Sequence, residues 1–308
     1  MNSNRTVRRP DGPRCSLVGQ EGTNVAAAGI TTREEIVAMS YWQDKVVLIS
    51  GGSSGLGAML ARTLAAAGAK LVLGAIDADG VESVAESLRG GGCDAIGVWA
   101  DVTQQEPVDR LIASAIQRHG RLDALLNCAG RSARGAVLET TPEQFLDLLS
   151  LNFLATVRCT RAAAPHLIQT RGHLVNIGSL AAKTASKFLG AYPASKFPVA
   201  AYSQQLRYEL NPLGVHVLLV CPGPIARADA GNRYDDQAAG LPESARKPGG
   251  GVKLKGISPD RLARNILRYC ECRKPELVMP AKARILFALS QLSPTLGDWI
   301  IGKMTATS

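Results

Sequence analysis

The chain has 308 residues, 46% of them apolar and 20% charged, ordinary globular usage that excludes a disordered chain or a coiled coil. Its formal charge of +9 is unevenly placed: residues 246–308 carry twelve basic and four acidic side chains, residues 39–245 eighteen of each, and residues 1–38 five and four. A neutral body without a basic, aromatic-studded patch excludes a nucleic-acid-binding core, and no run approaches the roughly 18 apolar residues of a membrane span.

In chain order, residues 1–40 show no sustained apolar period and read as a disordered arm. Met39, directly ahead of the first strand, reads as a natural start. A transit peptide is disfavoured by Glu21, Glu34 and Glu35, and no apolar core of a secretory signal precedes them. From Lys45 onward, short apolar runs alternate with helical-period segments. Strands are expected at 46–50, 71–75, 95–100, 124–126, 173–177 and 215–220. Helices are expected at 56–67, 80–89, 105–118, 142–168 (as two) and 192–211. Runs apolar on both faces, separated by helices, predict an α/β fold: a single-domain, Rossmann-type, doubly wound parallel sheet. Residues 223–256, rich in Gly and Pro, are too long for a simple connection and read as a functional lid at the substrate pocket or a disordered segment. A helix at 259–271 and a strand at 276–279 follow. The body thus runs over 41–280, and a basic tail over 281–308 carries two amphipathic helices, at 281–291 and 295–305, broken by Pro294.

Between the first strand and the first helix stands Ser50-Gly51-Gly52-Ser53-Ser54-Gly55-Leu56-Gly57. A glycine-rich turn there allows backbone to approach a pyrophosphate, which then rests on the helix N-terminus. A second constellation is Tyr192-Pro-Ala-Ser-Lys196. Residues four apart share one helix face, so the phenol and the ammonium point into one site, and a neighbouring cation is expected to lower the phenol's pKa toward acid–base work. Ser179, at the end of the fifth strand, is placed to hold a carbonyl oxygen.

The GxxxGxG spacing of Gly51, Gly55 and Gly57 resembles that of the short-chain dehydrogenase/reductase family, whose turn begins with Thr where this chain has Ser50. The family's further marks recur in order. Asp101-Val102 follows the third strand, and Asn127-Cys128-Ala129-Gly130 ends the fourth, with Cys128 in place of a second Asn. Asn152, Ser179, Tyr192 and Lys196 match the catalytic tetrad, and Pro222-Gly223, followed by Ile225, matches the motif after the sixth strand. The resemblance covers residues 44–280. It implies reversible hydride transfer between NAD(H) or NADP(H) and a carbonyl or secondary alcohol. Asp101 would meet the adenine, Lys196 the nicotinamide ribose, and Asn152 a proton-relay water. It further implies a homodimer or tetramer built through the helices carrying Asn152 and Tyr192.

Asp77 lies at the spacing from the turn at which an acid binds ribose hydroxyls. With Asp79 beside it and no base nearby, it favours NAD(H), although the family's usual acid position holds Ala75. Arg227 replaces a family threonine, where it faces an anionic group or solvent. Leu180, Ala181, Phe188 and Leu189 read as an apolar pocket wall, which points to a lipid-like ketone or alcohol. A 3-oxoacyl-thioester reductase and a non-catalytic dinucleotide-binding regulator are the alternatives. The tail's apolar stripe (Ile285, Phe287, Leu289, Leu292, Trp299, Ile300, Met304) beside Lys282, Arg284 and Lys303 is expected to pack on the body or a partner subunit, with peripheral contact to an anionic membrane as the rival. No metal set is expected: the four histidines read as isolated residues on helix or strand surfaces. The seven cysteines read as reduced thiols of a cytoplasmic protein.

Overall fold

Val46–Ser50 forms β1, with every residue buried. Val47 and Ile49 pack into one apolar cluster, and Val46 and Leu48 into another on the opposite face. A strand that feeds two cores belongs between two helical layers. The protein, described as a computed structural model, is defined over residues 41–226, 234–247, 249, 251 and 255–305. The N-terminal arm and Arg227 lie outside these residues.

After β1 come α1 (Gly55–Ala66), β2 (Lys70–Ala75), α2 (Ala78–Gly90), β3 (Ala95–Trp99), α3 (Gln105–His119) and β4 (Ala124–Asn127). Then follow α4 (Pro142–Leu149), α5 (Ala155–Thr170), β5 (His173–Ile177), α6 (Tyr192–Leu210) and β6 (His216–Pro222). The chain continues through the short α7 (Glu243–Arg246), α8 (Pro259–Glu271), β7 (Glu276–Met279), α9 (Ala283–Leu292) and α10 (Pro294–Thr305). The seven strands are all parallel, in the order β3-β2-β1-β4-β5-β6-β7. Helices α1, α2 and α8 fill one core through Leu60, Val81 and Ile266, and α3, α5 and α6 fill the other through Leu111, Ala163 and Leu206. The strand order reverses between β1 and β4, so a crevice opens at the C-terminal strand ends there.

Local chemistry sets the boundaries that matter for this crevice. The helical stretch expected at 142–168 does form two helices, joined by a wider π turn at Ser150–Leu154. Thr141 and Gln144 form a capping box that starts α4. Pro294 opens α10 rather than merely ending α9, because a first-turn proline sacrifices no helical hydrogen bond.

The opposite end of the sheet corrects two expectations. His173 and His216, the first residues of β5 and β6, are buried and adjacent, with Nδ1 atoms 3.0 Å apart. The His216 Nε2 lies 2.8 Å from the Lys274 carbonyl, and the Tyr41 hydroxyl 2.6 Å from the His173 Nε2. These two histidines are therefore not isolated surface residues, and their ligand atoms lie within 4.8 Å of the Cys270 sulfur. A carbonyl only accepts, so a neutral His216 donates from Nε2 and accepts at Nδ1 from His173. His173 in turn accepts from Tyr41, and every ring nitrogen has a partner. Burial holds both imidazoles below the ordinary histidine range, His216 at about 4. Cys93, Cys128, Cys159, Cys221 and Cys270 are free thiols. Cys272 is disulfide-bonded, which corrects the reading of all seven cysteines as reduced.

Candidate functional site

The turn after β1 is held against β2, where the Gly51 and Gly52 amides both donate to the Gly74 carbonyl, at 2.7 and 3.0 Å. Gly57 has no alternative residue: a Cβ there would stand 2.1 Å from the Gly51 carbonyl oxygen. Ser54 precedes α1 without a side-chain cap, and no acidic residue occupies the helix's first turn. The backbone donors and the positive end of the helix dipole are thus left facing the crevice, which suits a phosphate. Ser50, Ser53, Gly55 and Leu56 complete the turn, and Leu56 also borders the cavity described below.

Of the other expected dinucleotide contacts, Asp77 is the N-cap of α2 and accepts from the Gly80 amide at 3.0 Å. Asp101 folds its own turn by accepting from the Thr103 amide and hydroxyl at 2.9 and 2.7 Å, and Val102 is buried beside it. Asn127 differs from expectation. Its side chain turns into the core and donates to Asn176 at 2.9 Å and Thr160 at 3.2 Å, tying β4 to β5 and α5 beneath the crevice. Ala129 and Gly130 carry the chain past it to the site.

Tyr192 is the first residue of α6, and Lys196 follows one turn on. The Lys196 ammonium is buried and donates to the Ile177 carbonyl at 2.8 Å. Burial lowers its pKa to about 8. Tyr192 corrects a second expectation: its phenol is raised above the ordinary tyrosine range, because desolvation outweighs the influences that favour ionisation. Those influences come from the Ser179 hydroxyl as a hydrogen-bond partner and from the Arg134 charge. Lys196 directs its proton to Ile177 instead. Ser179 caps a short 3-10 turn at Leu180–Ala182, accepting from the Ala181 amide at 3.0 Å.

Asn152 lies in the π turn between α4 and α5. Its Oδ1 accepts from the Arg131 amide at 2.9 Å, while its Nδ2 donates to the Arg131 carbonyl at 2.9 Å and to the Ser195 hydroxyl at 2.8 Å. The side chain is fully engaged in clamping the β4 loop to α6. Gly130 is forced at this clamp: φ is +155°, and a Cβ would meet the Asn152 oxygen at 2.7 Å.

Ser179, Tyr192, Lys196, Gly130, Pro222, Gly223 and Ile225 border one cavity of about 600 Å³. Leu180, Ala181 and Leu189 line it as expected, whereas Phe188, at a left-handed φ of 60°, does not. The tail also lines it, through Leu286 and Phe287 of α9 and Ile301 and Met304 of α10. One apolar face of the tail therefore packs over the site, while Ile285, Leu292 and Trp299 remain exposed, Trp299 under the Lys303 ammonium at 4.0 Å. Arg134 and Tyr234 also line the cavity and were not singled out from sequence. The available signal was the pair Arg131 and Arg134 directly after the glycine that ends the fourth-strand motif.

Among the described residues no helix is long and apolar enough to cross a membrane. Comparison with known proteins agrees with the geometry. The short chain dehydrogenase family model matches residues 45–238. The uncharacterized oxidoreductase YxnA of Bacillus subtilis is 31% identical over 268 residues, covering 85% of this chain and 72% of that protein. Dehydrogenase/reductase SDR family member 7B of Danio rerio is 32% identical over 247 residues, 77% of each chain. A Streptomyces violaceoruber protein named for ketoacyl reduction in the granaticin polyketide synthase is 36% identical over 181 residues, 58% of this chain and 66% of that one. The fold is shared with a Burkholderia phymatum short-chain dehydrogenase/reductase solved in complex with NAD, at TM-score 0.72 and 24% identity over 83% of this chain and 95% of that one. The matched family model and these relatives show that the chain belongs to the short-chain dehydrogenase/reductase family of oxidoreductases.

Proposed function

We propose that this oxidoreductase interconverts a ketone and a secondary alcohol on an apolar, chain-like substrate, with NAD(H) as its dinucleotide, and that residues 41–280 form the catalytic body. The observation that carries this reading is one cavity lined both by Ser179 and Tyr192 and by the apolar Leu286, Phe287, Ile301 and Met304. A few polar groups among apolar lining residues match a carbonyl carried by a hydrocarbon.

The residues of the turn Ser50–Gly57 would hold the pyrophosphate on the open N-terminus of α1, and Asp77 and Asp101 flank the adenosine side of the crevice. When bound, the nicotinamide supplies or accepts the hydride. Ser179 holds the substrate oxygen. Tyr192 donates the proton in reduction and removes it in oxidation, and its raised pKa keeps it a proton donor at neutral pH. Lys196, held by Ile177, adds positive charge beside the reacting oxygen and the ribose. Asn152 acts by position, fixing Arg131 and Ser195 on either side of the site. Two carboxylates after β2, Asp77 and Asp79, disfavour a 2′-phosphate and support NAD(H). The exposed apolar residues Leu146, Leu154, Phe197 and Tyr208 support self-association through α4, the π turn that follows it, and α6. Ile285, Leu292 and Trp299 beside Lys303 support peripheral contact with an anionic lipid surface.

The experiment is a panel of 2-ketones and 2-alcohols of graded chain length, with both dinucleotides. Activity is expected to climb with chain length and to favour NADH over NADPH. Activity confined to short polar ketones, or a strong NADPH preference, overturns the corresponding half of the reading. The relative named for ketoacyl reduction supports a second substrate class, 3-oxoacyl thioesters. Adding 3-oxoacyl thioesters to the panel separates the two.

A further inference from the structure

Arg134 is only 8% exposed, yet it is a cation on a loop. Its Nε donates to the Ala245 carbonyl at 2.7 Å and its Nη2 to the Lys247 carbonyl at 3.3 Å. Its Nη1 reaches back to the Ala133 carbonyl at 2.8 Å and the Ser132 hydroxyl at 3.0 Å. The guanidinium stacks 3.6 Å from the centre of the Tyr234 ring. Its main-chain amide donates to the Gln237 side chain at 3.0 Å. One residue therefore meets the stretch 234–247 at four places, from Tyr234 at its start to Lys247 at its end. That stretch holds only the four-residue α7 and few buried apolar side chains, so the guanidinium supplies much of what positions it.

The other side of Arg134 leads to the candidate site. The Gly135 amide donates to the Phe188 carbonyl at 3.2 Å, and the Gly190 amide to the Gly135 carbonyl at 3.0 Å. Gly190 lies two residues before Tyr192. Arg134 and Tyr234 themselves line the cavity beside Tyr192.

We propose that Arg134 is a latch: it holds residues 234–247 shut over the cavity and registers that closure against the loop that delivers Tyr192. A planar fork that binds two carbonyls and stacks on a ring is a task for arginine, and a lysine ammonium cannot perform all three parts together. Tyr234 lines the cavity from this stretch, which makes Arg134 a positioning residue for the reaction proposed above. The proposal rests on that reading for its consequence in catalysis, but not for its physical test.

The test is hydrogen exchange, read by mass spectrometry on the full chain. Replacing Arg134→Met is expected to speed exchange in 234–247 at least tenfold while leaving β1, β4, β5 and β6 unchanged. Tyr234→Ala is expected to reproduce the effect, Tyr234→Phe to behave as wild type, and the double variant Arg134→Met/Tyr234→Ala to exchange no faster than Arg134→Met alone. NADH and NADPH titrations should stay within twofold of wild type. For any ketone that turns over, the loss should fall on KM, by tenfold or more, rather than on kcat. If Arg134→Met fails to fold, Tyr234→Ala against Tyr234→Phe carries the same comparison. Unchanged exchange in 234–247, acceleration spread through the sheet, or additive effects in the double variant would each overturn the latch. Tyr192→Phe should leave exchange in 234–247 untouched, so a failed reading of the reaction and a failed latch give different results.

Discussion

The two ends of β5 and β6 each set a tyrosine among polar side chains and do opposite things. At the C-terminal ends, Tyr192, Ser179 and Lys196 line a cavity. At the N-terminal ends, Tyr41, His173 and His216 form a chain that ends on the Lys274 carbonyl. Lys196, His173 and His216 are buried and Tyr41, Ser179 and Tyr192 partly so, and the titratable groups of both sets have pKa values displaced mainly by desolvation. The lower chain spends each of its donors and acceptors on another protein group. The upper set leaves the phenol and the serine hydroxyl facing space that a substrate can enter. A perturbed pKa marks burial, and it marks chemistry only where a cavity meets it.

The sharpest way to break this contrast is to remove the same hydroxyl at each end. Tyr192→Phe is expected to lower kcat by about 10³-fold or more, within the range for loss of a general acid, with dinucleotide binding retained. Tyr41→Phe is expected to leave kcat unchanged and to cost about 2 kcal/mol of stability, because the buried His173 Nε2 is left without a donor. Steady-state kinetics and urea unfolding on both variants decide the matter. A Tyr192→Phe enzyme of normal kcat would remove the upper site's claim.

The lower chain makes its own prediction with acid. His216 is held at about 4 against an ordinary value of 6.5. Between these values the unfolded chain binds the proton first, so stability falls as pH drops from 6.5 to 4. Two and a half pH units correspond to about 3 kcal/mol. His216→Gln should lose about that much less stability than wild type across this window, while kcat/KM at neutral pH stays the same. Parallel stability curves for the two proteins would show that the imidazole is not held neutral.

The contrast also explains what could be read from the sequence. The alternation of apolar runs and helices, and with it the parallel sheet, was legible because both periodicities are local. The cradle, Ser179, Tyr192 and Lys196 were legible because each sits at a strand or helix end at fixed spacing. His173 and His216 were not, because residues 43 apart meet only once β5 and β6 pair. Arg134 was missed for the same reason, since its partners Ala245 and Lys247 lie more than 100 residues away. The tail's amphipathic pattern was legible. Its role was not, because periodicity says that a face is apolar without saying what covers it. Asn127 carried a motif correctly, but its side chain serves the core rather than the crevice.

A slightly smaller effect is expected at the cradle. Gly57→Ala places a methyl 2.1 Å from the Gly51 oxygen, so the turn must shift away from its seat on Gly74. Dinucleotide affinity should fall about 100-fold, about 2.7 kcal/mol, in a titration followed by NADH fluorescence. The His173–His216 chain and the acid-stability curve should be unaffected, because they occupy the far end of the strands. Unaltered affinity would show that the turn after β1 does not hold the dinucleotide.

The smallest expected effect sharpens the comparison most, because it sets stability against chemistry at a single atom. Lys196 is buried with its pKa near 8, whereas the unfolded value is 10.5. Below pH 8 the folded state carries a desolvated charge, at a cost of about 3 kcal/mol. Lys196→Met removes that cost but leaves the Ile177 carbonyl without its donor, a loss of about 2 kcal/mol. The variant should therefore be inactive and more stable than wild type by about 1 kcal/mol at pH 7. As pH rises from 8 toward 10.5 the unfolded chain holds the proton that the folded chain has released, so wild-type stability climbs and the variant's advantage disappears. Thermal unfolding at pH 7 and pH 10 reads this directly, and a variant less stable than wild type at pH 7 would mean that the ammonium is held by more than Ile177. At pH 7 no corresponding gain is available at the lower end, where each polar group has its partner and removing one of them destabilises.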